Sequence, residues 1–147
     1  MLIIVSKLAL SLFLGIAIGL ERILVRHGAG MRTYGLVSMS CALFMILALE
    51  VGVATKVPGE VLRVLGQIVS SIGFLGVGII YFSKEEHMRV GVTSAAGLLV
   101  VAGIGSAVGL GMYSIAVAAT GFALFAFMAV LILEKKIESK LRPQYDK

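Results

Sequence analysis

Residues 90 to 133 form a run of 44 residues without one Asp, Glu, Lys or Arg. A helix needs about 20 apolar residues to cross a hydrocarbon layer roughly 30 Å thick, so the run suits two spans rather than one. The stretch "GLGMY", 109–113, offers glycines for a tight turn between them. Three further apolar runs precede it. Spans are therefore expected at about 2–20, 33–55, 62–82, 90–108 and 112–133, within a single domain covering 1–147. The period-two alternation of barrel strands is absent, and helices are the other way to satisfy every backbone group in lipid. The expected fold is all-α, a polytopic helical membrane protein with about five transmembrane helices. Composition agrees: 14% of residues are charged, against about 25% in soluble domains.

The first span resembles a cleaved signal only superficially, because it leads into "ERILVR" with no small-x-small cleavage site, and it reads as a retained helix. Lys7 is expected to snorkel to the nearer interface. Ten of the thirteen Lys and Arg residues fall in the first loop, the third loop and the tail; Lys7, Lys56 and Arg63 are the other three. That asymmetry predicts an outside N-terminus and a cytoplasmic C-terminus. The net charge of +5 then faces anionic lipid headgroups, so no nucleic-acid partner is needed to explain it. The single Cys41, in mid-span, excludes a disulfide framework.

The third span, "GQIVSSIGFLGVGIIYF" at 66–82, carries a glutamine, two serines and four glycines. On a helical wheel Gly66, Gln67, Ser70, Ser71, Gly73 and Gly78 fall within an arc of roughly 160°. Leu65, Ile68, Ile72, Leu75, Ile79 and Phe82 gather opposite, while Gly76 lies outside the small arc. The expectation is an interior helix with a bulky face for lipid and a small face for another helix, since close backbone approach and hydrogen bonds drive association in membranes. The sharper alternative is a helix broken at Gly73, Gly76 and Gly78, as in transporter sites. Gly15 and Gly19 in the first span, and Gly105 and Gly109 in the fourth, repeat small residues every four positions.

Several polar residues are candidates for chemistry. Glu21 and Arg22 end the first span, and "RHGAGMRT" adds Arg26, Arg32 and Thr33 around two glycines. Such a loop can hold a phosphate or carboxylate, or simply set topology with Glu21 pairing an arginine. Glu60, Arg63 and Gln67 share one face at the start of the third span and suit the mouth of a polar path, or separate interfacial roles. Thr93 and Ser94 open the fourth; such hydroxyls commonly bond back to their own helix. Two histidines and one cysteine cannot build a transition-metal cage. No pair of acids lies deep in the membrane for a dehydrated divalent cation. Without a recognisable catalytic motif, no enzyme, cofactor or metal site is expected. Leu133, Ile137 and Leu141 recur every four residues, which predicts a basic amphipathic tail over 134–147.

Three blocks together resemble the MgtC/SapB family of bacterial inner-membrane proteins. They are "GLERILVRHGAGMRTYGLVS" at 19–38, "EVLRVLGQIVSSIGFLGVGII" at 60–80 and "VGVTSAAGLLVVAGIGSAVGLGMY" at 90–113. The resemblance implies a family polar core at Glu21, Arg22, Arg32, Thr33, Arg63, Gln67 and Thr93, and a glycine signature at Gly73, Gly76 and Gly78. Glu60 stands where the family usually has Asp, Ser71 for Gly, Val77 for Ala and Ser94 for Thr. Many members continue into a soluble cytoplasmic domain, and this sequence corresponds to the membrane part alone. The family is associated with adaptation to low magnesium and acid and with survival inside host cells. It resembles a regulator of other membrane proteins, ATP synthase included. The resemblance thus implies an interaction protein in the bilayer, joined to a second copy or to another membrane protein. The alternative is a small transporter or channel for an ion such as magnesium.

Overall fold

The structure, a computed structural model, describes residues 1–24, 29–57, 59–82 and 88–141, with side chains at 24, 82, 88–90 and 130–141 left aside. Arg26, His27, Gly28 and residues 84–87 lie outside the described residues, as do the side chains of the tail. Five helices follow in order: α1 (Leu2–Leu24), α2 (Met31–Thr55), α3 (Gly59–Phe82), α4 (Met88–Gly109) and α5 (Tyr113–Leu141). The first four are long and apolar enough to cross a membrane; the described apolar part of α5 is Tyr113–Ala129. The protein is an all-helical, multi-pass membrane protein.

The helix ends are closed by the chain itself. Lys56 takes the left-handed conformation at φ 58°, and backbone N–H groups there return to the carbonyls of Gly52 and Val53. Such bonds satisfy orphan carbonyls at a helix C-terminus. Gly111 turns the chain between α4 and α5 at φ +81°, where a Cβ would be strained. Lys7 does more than snorkel: its Nζ donates to the Gly109 carbonyl at 2.9 Å. A cation there meets both an unpaired carbonyl and the negative end of the α4 dipole.

α4 is the centre of the bundle. It touches every other helix, and 61% of its span is buried, against 17% of α3's. α2 lies between α1 and α4, and both approach it through glycine. A Cβ on Gly15 would lie 2.8 Å from Ser38 Cβ and 2.6 Å from the Tyr34 carbonyl oxygen. One on Gly105 would overlap the Ser38 carbonyl. One turn along, a Cβ on Gly19 would lie 2.6 Å from Met31 Cα, and one on Gly109 would lie 2.6 Å from the Ala42 carbonyl oxygen. Both small-xxx-small pairs are therefore filled from within the chain.

The third span departs from its expected orientation. Ile68 and Ile72 are buried, and Leu65 and Ile79 pack against the core, whereas Gly66, Gln67, Ser70, Ser71 and Gly73 are exposed. A Cβ on Gly66, Gly73 or Gly78 would meet nothing within 4 Å. Gly76, outside the small arc, is the glycine of α3 that packs, against Ala95 of α4. α3 is thus a peripheral helix held to α4 and α2 by its bulky face. Lipid tails are as apolar as isoleucine, so hydrophobicity alone does not orient a helix in a bilayer. α3 is also one continuous α-helix through 73–78, with no break at its glycines.

Gly105→Ala is expected to cost about 1–3 kcal/mol of stability by overpacking. Gly103→Ala, whose Cβ has open space, should be neutral or slightly stabilising. Unfolding of the purified protein in mixed micelles measures both, and equal effects would refute the glycine clasp.

Candidate functional site

The sequence-predicted polar residues divide between two ends of the bundle. At one end, where α1 finishes and α2 and α4 begin, Glu21 and Arg22 are buried. Arg22 Nε donates to Glu21 Oε2 at 2.6 Å, and the Arg22 side chain is only 2% exposed. Its guanidinium carbon lies 3.8 Å from the centre of the Phe127 ring, so α5 closes over the pair. Planar guanidinium stacks well on an aromatic face and remains charged in a dry setting. Arg22 Nη1 has no hydrogen-bond partner among the described residues. Charge cancellation between adjacent residues allows both to be buried where either alone would be costly.

Beside this pair Tyr34 is fully buried, and its hydroxyl donates to the Ser94 carbonyl at 3.0 Å. Its ring lies over Gly97, leaving no room for a Cβ there. The Ser94 side chain is buried with its Oγ unpartnered, as are those of Ser38 and Ser106. Arg32, Thr33 and Thr93 are exposed. Tyr34, Gly97 and Phe127 are absent from the sequence-derived candidates. Gly97 has a signal, since it stands eight and twelve residues before Gly105 and Gly109 and so shares their helix face. Phe127 has none, because nothing local links it to Arg22.

At the other end, Glu60, Arg63 and Gln67 of α3 line a groove against α2, together with Ser71. The groove holds about 650 Å³ and its floor is largely apolar. Arg63 Nη1 donates to Glu60 Oε1 at 2.8 Å in an exposed pair. Such a pair adds little stability and leaves both groups accessible. Among the described residues no three His, Cys, Asp or Glu side chains gather to hold a metal ion. The candidates thus form a buried electrostatic clamp and a separate open groove.

Breaking the clamp should be costly. Glu21→Gln leaves the guanidinium buried without a counter-charge and is expected to lose about 3–5 kcal/mol. Glu21→Gln combined with Arg22→Met should recover more than half of that loss. Unfolding of the single and double variants in one detergent gives the comparison, and additive losses would contradict a coupled pair.

The sequence compares with known proteins over most of its length. A Haemophilus influenzae protein described as "Uncharacterized protein" is 33% identical over 144 residues, which is 95% of this chain and 60% of that protein. The "Putative magnesium transporter YhiD" of Escherichia coli K12 is 36% identical over 122 residues, 80% of this chain and 53% of its own. "Protein MgtC" of Salmonella typhimurium LT2 is 40% identical over 117 residues, 79% and 47% respectively. The chain therefore spans about half the length of these relatives. No solved structure matches it significantly. The model of the MgtC family matches residues 8–136, nearly the whole helical bundle, and the chain belongs to that family.

Proposed function

We infer that the chain is a membrane interaction protein that regulates another membrane protein, in a physiology linked to magnesium or acid stress. The observation that carries this reading is the outer face of α3. Gly66, Ser70 and Gly73 form a small-residue seam on the side of α3 facing away from the bundle. The pairs Gly15/Gly19 and Gly105/Gly109 are already filled by α2, and this third seam is empty. A partner backbone can approach it closely, and the neighbouring Gln67 amide can bond across the interface. The magnesium link comes from the description of the relative YhiD as a "Putative magnesium transporter" and from family membership. In this reading the protein sits in the bacterial inner membrane. Its N-terminus is outside and its C-terminus cytoplasmic, with ten of thirteen basic residues inside. It needs no cofactor and performs no covalent chemistry.

Transport of an ion such as magnesium is the second reading, favoured by the groove that carries Glu60, Arg63 and Gln67. Weighing against it, α3 is unbroken, and Glu21, buried within the bundle, is neutralised by Arg22.

Gly73→Leu separates these readings, because its side chain would project into open space and leave the fold intact. The expected result is unchanged membrane insertion and melting, at least a tenfold loss in rescuing growth of a family-deletion strain at low magnesium, and no magnesium uptake by vesicles containing the parent protein. Full rescue by Gly73→Leu would overturn the interaction seam. Uptake by the parent would establish transport instead.

A further inference from the structure

The α2–α3 groove has a polarity that the interaction seam does not use. Its mouth is charged, with Glu60 and Arg63 one helical turn apart, and its trough is lined by Leu36, Phe44, Val64, Ile68, Ile72 and Leu75. Gln67 and Ser71 stand between the two regions. Gly66, Ser70 and Gly73 do not line it, so groove and seam are adjoining faces of α3 that meet at Gln67.

Length and charge order point to the occupant. From Arg63 to Leu75 the helix rises about 18 Å, close to the roughly 15 Å of one hydrocarbon leaflet. Arg63 lies one turn inside the start of α3, at the level where a span enters the headgroup region. The trough is apolar and runs along α3, which suits an extended hydrocarbon chain. Arg63 engages Glu60 through Nη1 alone, and its side chain is 77% exposed. The rest of its fork is available for the bidentate contact that phosphate favours. Glu60 lies three residues nearer the helix start, about 4.5 Å farther out. Moving outward, the groove thus presents an apolar trough, an amide, a cation and then an anion.

We propose that this groove binds a phospholipid with an ammonium headgroup, its acyl chain in the trough, its phosphate on Arg63 and its ammonium on Glu60. Gln67 is placed to donate to an ester carbonyl between them. The ligand order matches the groove order at every step. The matching lipid class is phosphatidylethanolamine, and phosphatidylglycerol, which lacks the ammonium, is the discriminating competitor.

Native mass spectrometry of the full chain, titrated with phosphatidylethanolamine or phosphatidylglycerol, tests the site. The parent is expected to retain one phosphatidylethanolamine at least fivefold more strongly than phosphatidylglycerol. Arg63→Ala should weaken both lipids about tenfold. Glu60→Gln should remove the preference without abolishing binding, and Ser71→Phe, which fills the trough from an exposed position, should weaken both. All three substitutions alter exposed or half-exposed side chains, and an unchanged melting temperature excludes unfolding as the cause. Equal retention of the two lipids by the parent would overturn the proposal. So would adducts indifferent to all three substitutions, or a second copy held in the groove and undisplaced by lipid.

Discussion

Ser38 lies between Gly15 of α1 and Gly105 of α4 so closely that neither glycine has room for a Cβ. The rest of the bundle depends on this three-helix contact. In lipid there is little hydrophobic gain from helix association, so backbones must come near enough for dense van der Waals contact. Glycine permits that approach at its usual cost in helix propensity. Gly19 and Gly109 repeat the contact one turn along their own helices, meeting α2 at Met31 and at Ala42 on either side of Ser38. Once α1, α2 and α4 are locked, α3 and α5 attach to α4 on separate flanks and make no contact with each other among the described residues.

The polar groups follow from this scaffold. Glu21 and Arg22 end α1 where α5 passes, and the Phe127 ring completes their enclosure. Tyr34 begins α2 beside the start of α4, so its hydroxyl reaches the Ser94 carbonyl over Gly97. These contacts fix how four helices, α1, α2, α4 and α5, meet at one end. The groove at the other end arises because α3 touches α2 only partly along its length. Its charged mouth and apolar trough are therefore open on the outside of the bundle.

Legibility in the sequence varied with the kind of signal. Gly15, Gly19, Gly105 and Gly109 were readable because each pair repeats at helical spacing on one face. Glu60, Arg63 and Gln67 were readable as a group for the same reason. The orientation of α3 was not, because both of its faces tolerate lipid and the wheel reports only that they differ. Tyr34 and Phe127 were hidden more deeply. Each gains its role from a residue on another helix, and neither has a local pattern that announces it.

By itself the sequence determined that the chain spans a membrane, that it does so with helices, and where the tightest helix seams begin. Those follow from hydrocarbon thickness, from the need to satisfy every backbone group, and from the periodic placement of glycine. Tertiary structure decided which seams are filled and which face outward, because that depends on which helices pack against α2 and on which face of α3 meets the core. It also decided that Glu21 and Arg22 are enclosed while Glu60 and Arg63 stay open, because α5 brings Phe127 over the first pair.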